Sequence, residues 1–318
     1  VKEGRTILYI THKLEEVISL CNEVTIMRNG KVIDSCSTKN QTAKSLATKM
    51  LGEKLEELKT DYSHISDNIS FIANNVTCSF NDPFYTDLKN ISFQVKTGEI
   101  FGIAGVAGNG QSELMNILVG ENTSIDSGEI IFDKINIESF NPQKRRDLSI
   151  AFVPENRLGH SAVPELTLSE NILLSQFPNN NFSKNGILNY NLIEKHAKKV
   201  IENFNVITPG SDAKASSLSG GNLQKFVIGR EISSVPKLLI ISHPTWGIDA
   251  GAEHSIRESL IALSKNGTSI IVLSQDLDEL IEITHRISVI FEGKLSQSIN
   301  TKDVDITKLG LLMGGKNE

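Results

Sequence analysis

The sequence predicts an α/β protein, and three observations carry that prediction. A short apolar strand runs into a glycine-rich turn and a helix at 100–118. The run Leu238–Ile241 has the continuous aliphatic character of a buried parallel strand. A strand–helix–strand block occurs twice, once near each end of the chain.

The repeat is read first. "GRTILYITHKLEEVISLCNEVTIMRNGKV", starting at Gly4, lies without a gap over "GTSIIVLSQDLDELIEITHRISVIFEGKL", starting at Gly267. Ile7 matches Ile270, Leu14 matches Leu277, Glu16 matches Glu279, and Gly30-Lys31 matches Gly293-Lys294. Each copy reads as strand, short amphipathic helix, strand, tight turn, strand. Residues 1–52 are therefore read as the C-terminal end of a first domain and 69–318 as a complete second copy, within a longer chain. The polar stretch 53–68, with no apolar periodicity, reads as a linker. A new apolar segment opens at Ile69.

Composition sets bounds on function. The 318 residues suit about two domains. A net charge of −6 argues against nucleic acid as a partner. No run approaches the length of a membrane span and no signal peptide opens the chain. Cys21, Cys36 and Cys78 lack CxxC spacing, so neither a disulfide framework nor a zinc site is indicated. A reducing, cytoplasmic setting fits best.

In "GEIFGIAGVAGNGQSELMNILVG" the strand Ile100–Ala104 precedes Gly105-x-x-Gly108-Asn109-Gly110-Gln111-Ser112-Glu113. This spacing is that of a Walker A phosphate loop at every position but one. Such loops turn backbone N–H groups toward phosphate oxygens at a helix start, and glycines allow the close approach. Ser112 stands where a magnesium-binding hydroxyl belongs. The lysine expected to reach the β- and γ-phosphates is Gln111 instead. Taken alone, the segment also reads as a plain glycine-rich βα turn.

Downstream, "SSLSGGNLQKFVIGREI" carries Leu218-Ser219-Gly220-Gly221 ahead of a helix. This run resembles the signature motif of ABC-transporter ATPases, and its "LSGGNxQK" form resembles the ATP-binding subunits of bacterial sugar and nucleoside importers, which carry two ABC domains in tandem. The resemblance covers essentially the whole chain. It implies an α/β fold with an ABC-type P-loop NTPase core, an antiparallel β subdomain and a helical signature subdomain. Pro154-Glu155-Asn156-Arg157 resembles the family's Q-loop region, with Glu155 where most members have glutamine. The spacing of Ile193, Ala197, Val200, Ile201 and Phe204 predicts a helix of the helical subdomain, its apolar stripe in the core.

The same resemblance exposes losses. Where the family has Asp-Glu-Pro-Thr, for magnesium and for polarising the attacking water, this chain reads Ser242-His243-Pro244-Thr245, followed by the D-loop Asp249. His12 stands at the switch position of the first domain, and its counterpart in the second is Gln275. His243 alone suggests a metal ligand or general base, but no carboxylate or second histidine adjoins it in sequence. Four replacements in separate motifs (Gln111, Ser242, His243, Gln275) describe a degenerate second site. ABC domains pair head to tail, so Ser219–Gly221 is expected to complete the ATP site of the first domain. Phe80, Phe84 and Tyr85 all remain open as the residue stacking on adenine.

The resemblance implies ATP as ligand, with magnesium binding at the second site weak or absent. Implied partners are the first ABC domain of the same polypeptide, transmembrane permease subunits and, indirectly, an extracytoplasmic substrate-binding protein. The implied location is peripheral, on the cytoplasmic face of the plasma membrane. The fragment alone is expected to be inactive. A soluble tandem ABC protein acting on ribosomes or nucleic acid is the alternative, disfavoured by the short linker and acidic balance. A purely structural pseudo-ATPase half is compatible with the first reading. The "GNGQSEL" form leans toward nucleoside over sugar importers.

Overall fold

A computed structural model describes residues 4–11, 13–28, 30–52, 61–176 and 182–315. The chain divides into two compact units, 1–57 with 248–255, and 58–247 with 256–318.

In the first unit, helix α1 (Leu14–Leu20), the antiparallel pair β1 (Glu23–Arg28) and β2 (Lys31–Ser37), and helix α2 (Ala43–Leu51) close over Val17, Ile26 and Leu46. Helix α2 starts from a reciprocal Thr42–Ser45 capping box and ends at Gly52 in the left-handed region.

The second unit begins with β3 (Ile69–Cys78), β4 (Leu88–Lys96), β5 (Ile100–Ala104) and α3 (Gln111–Val119). Then come β6 (Ser127–Phe132), β7 (Ile135–Asn136), α4 (Pro142–Asp147) and β8 (Ile150–Val153). A helical portion follows, with α5 (Leu168–Gln176), the small hairpin β9 (Ser183–Lys184) and β10 (Ile187–Leu188), α6 (Tyr190–Asn203) and α7 (Gly220–Ser233). The chain returns through β11 (Leu238–Ser242), α8 (Ala250–Lys265), β12 (Ser269–Ser274) and α9 (Leu277–Ile283). It finishes with β13 (Arg286–Phe291), β14 (Lys294–Leu295), β15 (Ile299–Asn300) and α10 (Ile306–Met313).

One sheet has the order β14-β13-β5-β12-β11-β8, with β15 on β13, and its centre is parallel. Every residue of β5, β11 and β12 is buried, as strands covered on both faces require. A separate antiparallel sheet has the order β4-β3-β6-β7. Its inward residues Phe71, Phe93 and Phe132 share one core with Phe101 and Leu114. The strand read at Ile100–Ala104 and the aliphatic run at Leu238–Ile241 both form, and α6 buries Ile193, Ala197 and Val200 as its spacing requires.

The repeat has a structural counterpart, and one correction. At the spacing that sets Gly4 over Gly267, α1 coincides end for end with α9, β1 with β13, and the 3₁₀ turn Thr38–Asn40 with Thr301–Asp303. The strand expected at Ile7–Ile10 does not form. Its counterpart Ile270–Leu273 lies between β5 and β11, bonded on both edges. No strand flanks Ile7–Ile10 among the described residues of its unit, and Leu8 and Ile10 are each 89% exposed. A central parallel strand without neighbours loses its ladder and its cover together.

Candidate nucleotide-binding site

The glycine turn is built by two steric demands. A Cβ on Gly105 would stand 2.7 Å from Ile290 Cγ2, so β13 excludes any side chain there. Gly108 has φ +83° with nothing within 4 Å of the Cβ position, so backbone conformation rather than crowding selects glycine and leaves that flank open. The turn is tied down behind. Asn109 O accepts from Gly293 N at 3.0 Å, Asn109 Oδ1 accepts from Glu292 N at 3.1 Å, and Gly108 O accepts from Thr86 Oγ1 at 2.7 Å. Helix α3 starts without a side-chain cap, and Ser112 is exposed at its first turn. A rigid turn, an open flank and an uncapped helix start suit an anion. Glu113 is buried and accepts from Thr86 N at 3.0 Å, so its side chain supports the loop from inside.

Gln111 points the other way. Its side chain is buried and its Nε2 donates to Ile103 O (3.1 Å) and Ser274 O (3.2 Å), at the carboxyl ends of β5 and β12. The amide that replaces the lysine is held by the sheet. Gln275, the next residue after Ser274, is exposed beside it. His12 lies outside the described residues.

At the end of β11, Ser242 and His243 are buried. His243 has φ +47°, in the left-handed region, and its N–H donates to Leu273 O at 2.8 Å. Burial lowers its pKa, while the carboxylates of Glu155 and Asp276 pull upward. Burial wins, so the imidazole is neutral at pH 7. Tertiary structure thus supplies the carboxylates that the local sequence lacks, yet no group of three or more metal-ligating side chains occurs among the described residues. The donor set suits a phosphate at the loop. For magnesium it offers the Ser112 hydroxyl without the carboxylate expected at the end of β11.

Asp249 caps the start of α8, its Oδ1 accepting from Ala252 N at 3.0 Å. In the signature, Ser219 is the N-cap of α7, with Oγ accepting from Asn222 N and Nδ2. Ser219 and Gly220 are exposed, while Leu218 is half-buried. Two side chains missed at the sequence level reach the segment after β11, one from this helix and one from the segment after β8. Gln224 Nε2 donates to Pro244 O at 3.0 Å, and Arg157 donates to Trp246 O. The signal available was the position of each inside a motif already singled out. A third missed residue is Glu279, fully buried, which accepts from Ser274 Oγ at 2.6 Å and from Thr245 N at 3.1 Å. Its repeat counterpart Glu16 accepts from Thr11 Oγ1 at 3.2 Å, so the same bond is drawn in both copies. Phe80 packs on the core and stacks on Tyr85 with ring centroids 5.5 Å apart, while Phe84 is 93% exposed.

Residues 88–246 match the family model described as "ABC transporter". The chain belongs to the ABC transporter family. It is 37% identical over 323 residues to the "Nucleoside import ATP-binding protein NupA" of Lactococcus lactis subsp. cremoris, spanning 100% of this chain and 62% of the relative. It is 36% identical to the "Glucose import ATP-binding protein TsgD13" of Haloferax volcanii, over 98% of this chain and 57% of the relative. This ABC chain therefore spans about six-tenths of the length of the relatives it matches. Among solved structures, a dimeric ATP-binding cassette in a post-hydrolysis state bound to ADP and Pi superposes with a TM-score of 0.64. That match has 24% identity and covers 74% of this chain and 100% of the other. The fold is thus the α/β, P-loop cassette of ABC ATPases, with its antiparallel sheet.

Proposed function

We propose that this chain belongs to the ATP-binding, energy-coupling subunit of an ABC importer for a simple sugar or nucleoside, and that its own nucleotide site is degenerate. The relatives' names supply the class of solute. The observation that carries the degenerate site is the pairing of an intact glycine turn with four replaced side chains, Gln111, Ser242, His243 and Gln275. The backbone cradle of Gly105–Ser112 retains ATP through its N–H groups. Bound magnesium would neutralise phosphate charge beside Ser112. Neither Ser242 nor His243 supplies the carboxylate that holds a metal or polarises water, and the neutral His243 is shielded by burial. Gln111 donates to backbone carbonyls and adds no charge. Such losses remove charge-assisted contacts worth about 1.5–3 kcal/mol each.

Residues 1–52 then form the tail of a first ABC domain, 53–68 the linker (53–60 of it outside the described residues), and 69–318 the second ABC domain. Element boundaries shared by the two copies support that division, as do the longer relatives. Ser219–Gly221 faces the ATP of the first domain, for which His12 is the switch residue. The partners are that domain and membrane permeases, engaged from the cytoplasmic side, with a substrate-binding protein acting through the permease. No helix among the described residues is long and apolar enough to cross a membrane. The test is a titration of this chain with ATP, with and without magnesium, alongside phosphate release. Binding without release is expected. A magnesium-dependent rate that Ser112→Ala abolishes would overturn the reading.

A further inference from the structure

The segment after β8 turns back on itself. Ala162 N donates to Arg157 O at 2.8 Å and Ser161 N to Asn156 O at 3.0 Å, which fixes the backbone at 156–162 and projects the Arg157 side chain from a held base. Its guanidinium reaches two other segments. It donates to Trp246 O, and its terminal nitrogens lie 3.7 and 3.9 Å from the Cβ position of Gly247, which has φ +65°. Its Nη1 lies 3.0 Å from the Cβ position of Gly220, the first residue of α7. A Cβ at 220 would press on that nitrogen, so the glycine next to Ser219 lets the guanidinium lie against the helix start.

Electrostatics makes the placement informative. A helix N-terminus carries partial positive charge and disfavours a cation. Arg157 is half-buried there, and no carboxylate ion pair is formed by it among the described residues. Packing alone does not call for a guanidinium at this point. A flat guanidinium does fit, because one terminal nitrogen donates to Trp246 O while the other lies against the bare Cα of Gly220, a shape that the single ammonium of a lysine does not reproduce.

We propose that Arg157 is a positioning residue for the signature: it fixes the start of α7, and hence Ser219, against the Trp246–Gly247 segment that leads into the D-loop. This rests on the reading that Ser219 completes the ATP site of the first domain. Loss of the guanidinium frees the signature to dock off register, which weakens transition-state contacts more than ATP binding to the first domain's own loop.

The experiment uses the full-length subunit assembled with its permease, measuring kcat and KM for ATP. Arg157→Gln is expected to lower kcat about tenfold or more with KM changed less than about twofold, and Arg157→Lys to recover only part. Ser219→Ala is expected to lower kcat as well, and the Arg157→Gln/Ser219→Ala pair to be no slower than the worse single variant by more than about twofold, as coupled residues behave. A merely structural arginine would give independent, multiplying losses, and that outcome overturns the proposal. So does Arg157→Gln at the wild-type kcat while Ser219→Ala is impaired, which leaves the composite site standing. If Ser219→Ala itself is unimpaired, the composite-site reading fails, and this proposal with it. Should Arg157→Gln not fold, Arg157→Lys on the Ser219→Ala background decides in the same way.

Discussion

On the proposed reading, Gln111 is a side chain that retires a site without dismantling it. Its amide bonds two carbonyls at the carboxyl ends of the central strands β5 and β12, so the loop keeps its shape while no cation points from this position toward the turn. Gln111→Lys is expected to tighten ATP binding about tenfold, the low end of a charge-assisted contact, without creating turnover, because Ser242 and His243 still lack carboxylates. Calorimetry with a phosphate-release assay reads both; unchanged affinity would mean the carbonyls keep the ammonium as they keep the amide. His285 gives a pH test. Its Nδ1 accepts from Ile100 N at 2.8 Å and its Nε2 donates to Asp61 O at 3.1 Å, a neutral tautomer. Burial chiefly lowers its pKa. Because the folded value lies below the unfolded one of about 6.5, its contribution is full above that pH and is lost as pH falls from there through the folded value. His285→Asn, whose carbonyl replaces Nδ1, is expected to flatten the fall in Tm between pH 7.5 and 5.5. Parallel slopes would remove His285 from the account.

Elements are held by buried polar clamps as much as by apolar faces. Arg145 is fully buried without a carboxylate, and burial lowers its pKa to about 10, leaving it charged at neutral pH. It donates to Leu118 O in the last turn of α3, to Phe140 O at 2.9 Å and to Ile137 O at 3.0 Å. A cation at a helix C-terminus is favoured. The clamp therefore anchors the far end of the helix whose start forms the candidate phosphate cradle. Arg145→Met keeps bulk but strands these carbonyls, and is expected to cost about 3 kcal/mol or more in urea unfolding; a loss below about 1 kcal/mol would show that water or relaxation replaces them. The Arg146–Glu231–Arg230 cluster links α4 to α7 in the same way, with Arg146 Nη1 2.8 Å from the Glu231 carboxylate. None of this was legible in the sequence. The helices themselves were, since α6 buries its spaced apolar stripe and α3 starts at Gly110 and stops at Gly120, both left-handed.

At the scale of the whole molecule, two copies of one block have met different fates. The second lies inside a complete sheet, while the first shows Leu8 and Ile10 to solvent at the place where its twin is fully buried. In the full-length subunit, Ser219→Arg is expected to abolish ATP turnover while Gln111→Ala changes it less than about twofold, as the proposed assignment of turnover to the first domain's site requires. Equal losses from the two variants would make the sites symmetric and end the asymmetric account. What the sequence determined by itself was the α/β class, the glycine turn, the signature and the repeat, because each depends on local chemistry: glycine's freedom at positive φ, the strand and helix periods, and an ungapped register. What tertiary structure alone decided was where charge and donors go. It turned Gln111 inward, set Glu155 and Asp276 to act on His243, buried Arg145 among carbonyls and laid Arg157 across the start of α7. Those outcomes follow from contacts between segments far apart in the chain, whose burial and dielectric no local pattern records.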